Sequence, residues 1–538
     1  MGIQLDTSGG GFLTRVERAS RYHIPVLLSL AAVVWLRACM SAEALIIGWR
    51  PTDSATIALN YLRNGFGFLY PQINWGGAGP GFVETEFPLI PYVTAVLYRV
   101  FGIHDALALL IPLASGFGLV SCVYLFVRHV HGRSAALFAA AFAALSPAVA
   151  ISSTGMFHDG LMVFLGVAGL YLLTRWTEEN RRWQFLMAAC ATAVAILEKP
   201  TVLHIGIPML YLFIVKYGRA FWKAPTLWLF GAITLVPPCL WYLHAHSLYL
   251  TYHNTFGILG AGYSKLATWQ ILSDPGFYLE TVKHAVKFQL TPVVGLFFLY
   301  GLSRRTEFRP PYLVHVWCGA VLFYVAVVAT GVSIGPEWYL LPVVPPGSAI
   351  AGVGAVAAIR RLESWRALAR WPRARVALPV AAVALVVVSM AYFHYSHGKG
   401  NFYNRQSASF RRTGLAVRSA TEPGSLIIVV DYLMDSRTPE NSMRTPDVFY
   451  FGERRGWYFS MAWLSRDLID RTRAEGARYL VITGFSRKQY EELDASLKLY
   501  LESFPTVMRN EDGVVYDLVR PAPSRVVTPD ETLTHDLS

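Results

Sequence analysis

The chain has 538 residues, of which 54% are hydrophobic and 15% charged, with a formal net charge of +12. An ordinary soluble enzyme carries about 25% charged residues, so the composition excludes a soluble protein of that kind. Several separate apolar runs approach the roughly 20 residues that cross a hydrocarbon layer. The expected fold is therefore mainly α, a polytopic helical membrane protein.

In chain order, residues 1–23 read as a cytoplasmic N-terminus and residues 24–395 as the membrane domain. Spans are expected at about 24–48, 105–127, 134–150, 157–174, 183–198, 200–215, 225–243, 290–302, 312–330, 338–358 and 376–395, about eleven in all. Arg15, Arg18 and Arg21 precede the first span. Arg128 with Arg133, Arg175 with Arg181 and Arg182, Lys216 with Arg219 and Lys223, and Arg304 with Arg305 and Arg309 fall in turns on the same side. So do Arg360, Arg361, Arg366, Arg370, Arg373 and Arg375, whereas 147–157 and 331–337 hold no Arg or Lys. The positive-inside rule then puts the N-terminus inside and the C-terminus outside, in a cell (inner) membrane. Topology and headgroup contact account for most of the net charge, which argues against a nucleic-acid partner. All five cysteines fall in predicted spans, so no disulfide framework is expected.

Two outer segments, 49–104 and 244–289, are too long for turns and rich in aromatics, so they are expected to be ordered and functional. "SATIALNYLRNGFGFLY" carries Ala55, Ala58, Leu59 and Leu62 on one helical face and reads as an amphipathic helix along the membrane surface. "FPLIPYVTAVLYRVFG" reads as another such juxtamembrane helix. After the last span, residues 396–520 change character: strands are expected at 425–432, 477–485 and 513–520, with helices around 462–475 and 487–503. That is a small external α/β domain, followed by a disordered tail over 521–538.

Asp53 follows an outward span and Asp159 begins an inward one, so both lie at the outer surface and can share a cavity. The plainer reading of each is a helix N-cap. Yet an unpaired carboxylate within a membrane core costs about 2.5 to 3.5 kcal/mol, and such residues are usually functional or paired. His158 precedes Asp159. "ETEFPLIPYV" adds Glu84 and Glu86, with Glu86 nearer the proline turn. Lys199, in "LEKPTVLHIG", is the first candidate for an anionic phosphate; the plainer readings are a pair with Glu198 or snorkelling to the interface. His204, His244, His246 and His253 are further outer-face candidates, with His244 and His246 spaced poorly for a shared metal and read as loop histidines. Tyr339 can contact sugar or phosphate, or anchor the interface. "DVFYFGERRGWYF" and "DPGFYLE" offer aromatics to an acceptor surface.

The order of these stretches, Asp53 after span one, "NYLRNGFGFLYP", "EFPLIPYV" and then "SPAVAISSTGMFHD" before span four, resembles the GT-C class of membrane glycosyltransferases. The nearest branch holds the protein O-mannosyltransferases and the lipid A aminoarabinose transferases, and "EWYLLPVVPPGSAI" is similar to that branch's start of a late span. The resemblance implies transfer of a sugar from a polyprenyl-monophosphate donor to a glycan, lipid or protein acceptor at the outer membrane face. It implies Asp53 as general base and Asp159 as the second acidic residue; Glu86, His158, Lys199 and Tyr339 are, from their own positions, the substrate-binding candidates. A single displacement inverts the anomeric centre. Asp53 and Asp159 can also hold a divalent cation, Mg²⁺, Mn²⁺ or Ca²⁺. The chain departs from both named subgroups: Ser54 follows Asp53 where the mannosyltransferases carry a second acid, and "EFPL" lacks the transferases' lysine. A transporter or flippase for a lipid-linked or small polar cargo is the competing class, but it predicts midplane charges and repeated halves, neither of which is visible. A catalytically inactive scaffold predicts that Asp53 and Asp159 are dispensable.

Overall fold

A computed structural model describes residues 12–40, 45–259, 265–304, 310–364, 372–397, 406–431, 446–484 and 494–519. The chain divides into two compact units, Met1–Gln72 with Phe82–Arg405, and Ile73–Gly81 with Gln406–Ser538.

The first unit is helical. Each expected span coincides with a helix: α1 (His23–Met40), then past α2 (Trp49–Asn64) and α3 (Leu89–Phe101), α4 (Leu110–His131), α5 (Arg133–Ala144) with α6 (Pro147–Ser153), α7 (His158–Glu179), α8 (Arg182–Glu198), α9 (Gly206–Tyr217), α10 (Pro225–Tyr252), α11 (Pro275–His284), α12 (Pro292–Leu302), α13 (Leu313–Val327), α14 (Val344–Glu363) and α15 (Pro372–His397). Among the described residues, five helices are long and apolar enough to cross a membrane alone, and three bent pairs bring the number to eight. The remaining expected spans are helical but shorter or less apolar. The short run expected at 290 bends by 103° where Pro275–Leu290 meets Pro292–Leu302.

Close packing of small residues joins α5, α12 and α14. A Cβ on Gly352 would stand 2.5 Å from the Ala135 carbonyl oxygen, and one on Gly354 would stand 2.0 Å from that of Phe297. Glycine lets these backbones approach to a separation that no side chain permits.

Helix α2, expected to lie along the membrane surface, differs from expectation. Pro51 to Tyr61 are all buried, so α2 packs inside the unit instead of laying one apolar face on a membrane. Gly48 and Gly65 bound it with positive φ values of 93° and 103°, and the Gly65 N–H closes on the Tyr61 carbonyl. Helix α3 buries Ile90, Ala95 and Tyr98 and leaves the apolar Val96, Val100 and Phe101 exposed.

The second unit holds a five-stranded sheet in the order β2-β1-β3-β5-β4, from β1 (Leu426–Asp431), β2 (Arg455–Ser460), β3 (Ala477–Thr483), β4 (Thr506–Arg509) and β5 (Gly513–Asp517). β1 is parallel to β2 and β3, while β5 is antiparallel to β3 and β4. The three expected strands are present as β1, β3 and β5; β2 and β4 are additions. Part of the aromatic stretch 447–459 supplies β2, whose alternate residues are buried. The 73–81 segment runs along the free edge of β2, where Gly77 N–H donates to Gly456 O at 2.7 Å and Gly456 N–H donates to Asn74 O at 2.9 Å. An edge strand is thereby covered. The expected disordered tail over 521–538, the start of the helix expected at 487–503, and Arg305, Arg309, Arg366 and Arg370 lie outside the described residues.

Candidate active site

The site is assembled in the first unit where three helix ends meet the segments around Glu86 and Lys265. Helix α7 begins at His158, because Gly155 and Phe157 are non-helical before it, and its first turn carries Asp159. A carboxylate there is favoured by the helix dipole. Helix α8 stops at Glu198, because Pro200 restricts the residue before it to extended backbone and Lys199 takes φ −163°. Two adjacent pairs of polar side chains therefore face each other. His158 Nδ1 lies 2.8 Å from Glu198 Oε2, and Lys199 Nζ donates to Asp159 Oδ1 at 2.7 Å. The expected alternative pairing of Lys199 with its neighbour Glu198 is replaced by this crossed arrangement.

Helix α2 contributes Arg50 and Asp53. Asp53 is buried, with 2% of its surface exposed, and it does not cap the helix, since Gly48 holds that position. Asp159 likewise leaves the cap of α7 to Phe157. Arg50 forms an ion pair with Glu86, which is also buried. Burial works against the Arg50 charge, but the carboxylates of Glu86, Asp53 and Asp159 outweigh it and raise the guanidinium pKa. Burial likewise opposes ionisation of Glu86, yet Arg50 above all, with Lys199 and Lys265, holds its carboxyl well below the usual range, at about 2. Lys265, in the segment that follows α10, is the mirror case: burial lowers its pKa to about 8, partly offset by Glu86 and reinforced by Lys199 and Arg50.

Aromatic rings close the cluster. Lys199 Nζ sits 5.1 Å from the centroid of Tyr339, and Phe157 stacks on Trp338 at 5.7 Å. A small cavity beside them is lined by Ser152, Phe157, Asp159, Glu337 and Trp338. Every sequence candidate among Asp53, Glu86, His158, Asp159, Lys199 and Tyr339 thus joins this neighbourhood, directly or through Arg50.

Other candidates have structural partners. Glu84 anchors the segment that follows α10: it accepts from Thr255 Oγ1 and from Leu259 N–H at 3.2 Å, and lies 3.2 Å from His246 Nδ1. His244 and His246 lie within α10, not in a loop, and His244 Nε2 bonds the Leu69 carbonyl at 2.8 Å. His253 ends α10 in a left-handed conformation, and His204 Nδ1 bonds Thr201 O at 2.8 Å. The metal reading of Asp53 and Asp159 does not fit this donor set. Among the described residues no group of three or more His, Cys, Asp or Glu is placed to hold a metal ion. The Asp159 carboxylate is engaged by Lys199, whereas Ca²⁺ and Mg²⁺ want about six or more oxygen ligands.

Sequence reasoning missed Arg50, Lys265 and the role of Glu198. Arg50 had a signal, since a residue three positions before Asp53 on one helix is its neighbour. Lys265, in "YSKLATW", has none.

Residues 85–242 match the family model described as dolichyl-phosphate-mannose-protein mannosyltransferase. That segment holds Glu86, His158, Asp159, Glu198 and Lys199. Curated protein sequences give no match. Among solved structures, ArnT from Cupriavidus metallidurans in the apo state superposes with a TM-score of 0.61 at 16% identity, covering 93% of this chain and 98% of ArnT. The same protein bound to undecaprenyl phosphate gives 0.60 at 15%, over 92% and 97%. The fold is that of the GT-C membrane glycosyltransferases. Two more GT-C structures agree. The oligosaccharyltransferase AglB from Archaeoglobus fulgidus, in complex with an inhibitory peptide and a dolichol-phosphate, gives a TM-score of 0.57 at 14% identity over 91% of this chain and 73% of that one. The arabinofuranosyltransferase AftD from Mycobacteria gives 0.51 at 15% over 92% and 40%. The GT-C fold accounts for a multi-pass helical body followed by a small C-terminal sheet.

Proposed function

We propose that this membrane protein transfers a sugar from a polyprenyl-monophosphate donor to an acceptor hydroxyl at the outer face of the membrane. The observation that carries the reading is one buried cluster in which Asp53, Glu86 and Asp159 surround Arg50, with Lys199 and Lys265 in the same field. Carboxylates suit a proton in transit, and clustered cations suit a phosphate leaving group. The GT-C fold and the mannosyltransferase match over residues 85–242 support the same chemistry, as does the lipid phosphate bound to ArnT.

In this mechanism the acceptor oxygen attacks the anomeric carbon while Asp53 takes its proton. The bond from that carbon to the phosphate oxygen breaks, and the electron pair leaves with the lipid phosphate. Arg50, Lys199 and Lys265 neutralise the charge that develops there. Asp159 holds Lys199 in place, and Glu86 does the same for Arg50. One displacement inverts the anomeric centre. No step needs a metal ion.

The test is transfer from a panel of radiolabelled polyprenyl-phosphate sugars in membranes holding matched amounts of wild type, Asp53→Asn or Asp159→Asn. Transfer by the wild type that is lost in Asp53→Asn supports the reading and identifies the sugar; no transfer from any donor counts against it.

A further inference from the structure

Glu198 ends α8 with its side chain fully buried, and its Oε1 has no hydrogen-bond partner. Its other oxygen, Oε2, lies 2.8 Å from His158 Nδ1. A carboxylate withdrawn from water needs a strong donor, and an imidazole N–H provides a charge-assisted one. A proton on Nδ1 leaves Nε2 as the free nitrogen of the neutral ring. Among the described residues nothing bonds Nε2. The groups around the ring are Glu198 from α8 and, next along its own helix, Asp159, whose carboxylate Lys199 holds at 2.7 Å. The ring that Glu198 holds therefore stands in the field of the reacting cluster.

We propose that Glu198 is a positioning residue: it fixes His158 as the Nδ1–H tautomer and so leaves Nε2 to accept a hydrogen bond from a substrate hydroxyl. This rests on the sugar-transfer reading, because it needs a hydroxylated substrate beside α7. A site built to bond one hydroxyl discriminates against ligands that lack it, so the pair is a specificity element as well as a structural one.

The first arm reads the ring itself. Imidazole ¹⁵N spectra of the full chain in lipid nanodiscs, with His158 assigned by the signals lost in His158→Phe, should show Nδ1 protonated and Nε2 bare. Glu198→Gln should abolish that preference, and Glu198→Asp should retain part of it. A ring protonated at Nε2 in the wild type overturns the proposal, whatever the enzyme's activity. The second arm is transfer with the donor found active. Glu198→Gln and His158→Phe should each reduce it by about 10²-fold, with Glu198→Asp recovering part of the loss. Weaker binding of the polyprenyl-phosphate sugar to His158→Phe assigns the hydroxyl to the donor; unchanged donor binding with slowed turnover assigns it to the acceptor. Wild-type transfer in His158→Phe contradicts the proposal. If the wild type transfers no sugar at all, the transferase reading fails, and the tautomer still decides whether Glu198 sets the ring.

Discussion

Glu86 pairs with Arg50 and lies in the field of Lys199 and Lys265, so its replacement exposes the balance of the cluster. Its folded pKa of about 2 lies below its ordinary 4.5. The stability it contributes is therefore complete above about pH 4.5 and is lost as pH falls toward 2. Glu86→Gln leaves Arg50 short of its nearest anion and should cost about 3–5 kcal/mol, the range for breaking a buried pair, read as a lowered unfolding midpoint in detergent. Lys265 predicts a different pH effect. With a folded pKa of about 8 against 10.5, it loses its charge as pH rises through 8. It opposes folding fully below pH 8, and that penalty is relieved between 8 and 10.5. Donor binding should accordingly weaken above about pH 8 in the wild type. Lys265→Arg should keep binding at pH 9, and Lys265→Gln should bind weakly throughout; a flat profile in the wild type would remove Lys265 from phosphate binding. Nothing local announced this lysine, since only the fold brings its segment into the field of Glu86.

At the scale of elements, the ends of α7 and α8 explain what the sequence could and could not say. Pro200 was readable as a helix stop, and the charges on both sides of the junction were readable as interfacial. Their pairing was not. Glu198 and Lys199 are neighbours in sequence, but the extended backbone at Lys199 sends one to His158 and the other to Asp159. A double-mutant cycle of Asp159→Asn with Lys199→Met should give a coupling of about 0.5–3 kcal/mol, and a coupling near zero would mean the pair does no joint work. Burial of α2 was hidden for a related reason. Its apolar stripe marks one buried face, and only the folded unit buries the polar face that carries Thr52, Asp53 and Thr56 as well. Strand β2 was missed because "RGWYFS" places a glycine and an arginine where a strand pattern wants branched residues. That glycine is required, because a Cβ on Gly456 would stand 1.8 Å from the Ile427 carbonyl oxygen.

The molecule as a whole was legible as a membrane protein because hydropathy acts over whole segments and tolerates local error. The GT-C likeness was legible because the order of several weak motifs carries more information than any one of them. The site was legible in its acids and only partly in its cations, since it draws on positions from Arg50 to Tyr339, spread over most of the first unit. That unit depends on close helix contact, so Gly354→Leu, which would push α14 away from α12, should sharply reduce the yield of folded protein, with normal yield contradicting the packing described. The central claim, that this cluster moves a sugar, is tested most directly by comparing the wild type with Asp53→Asn for transfer from an active polyprenyl-phosphate sugar at matched expression. A fall of about 10²- to 10⁴-fold with donor binding retained is the predicted result; transfer at the wild-type rate would remove Asp53 as the base and with it the mechanism proposed.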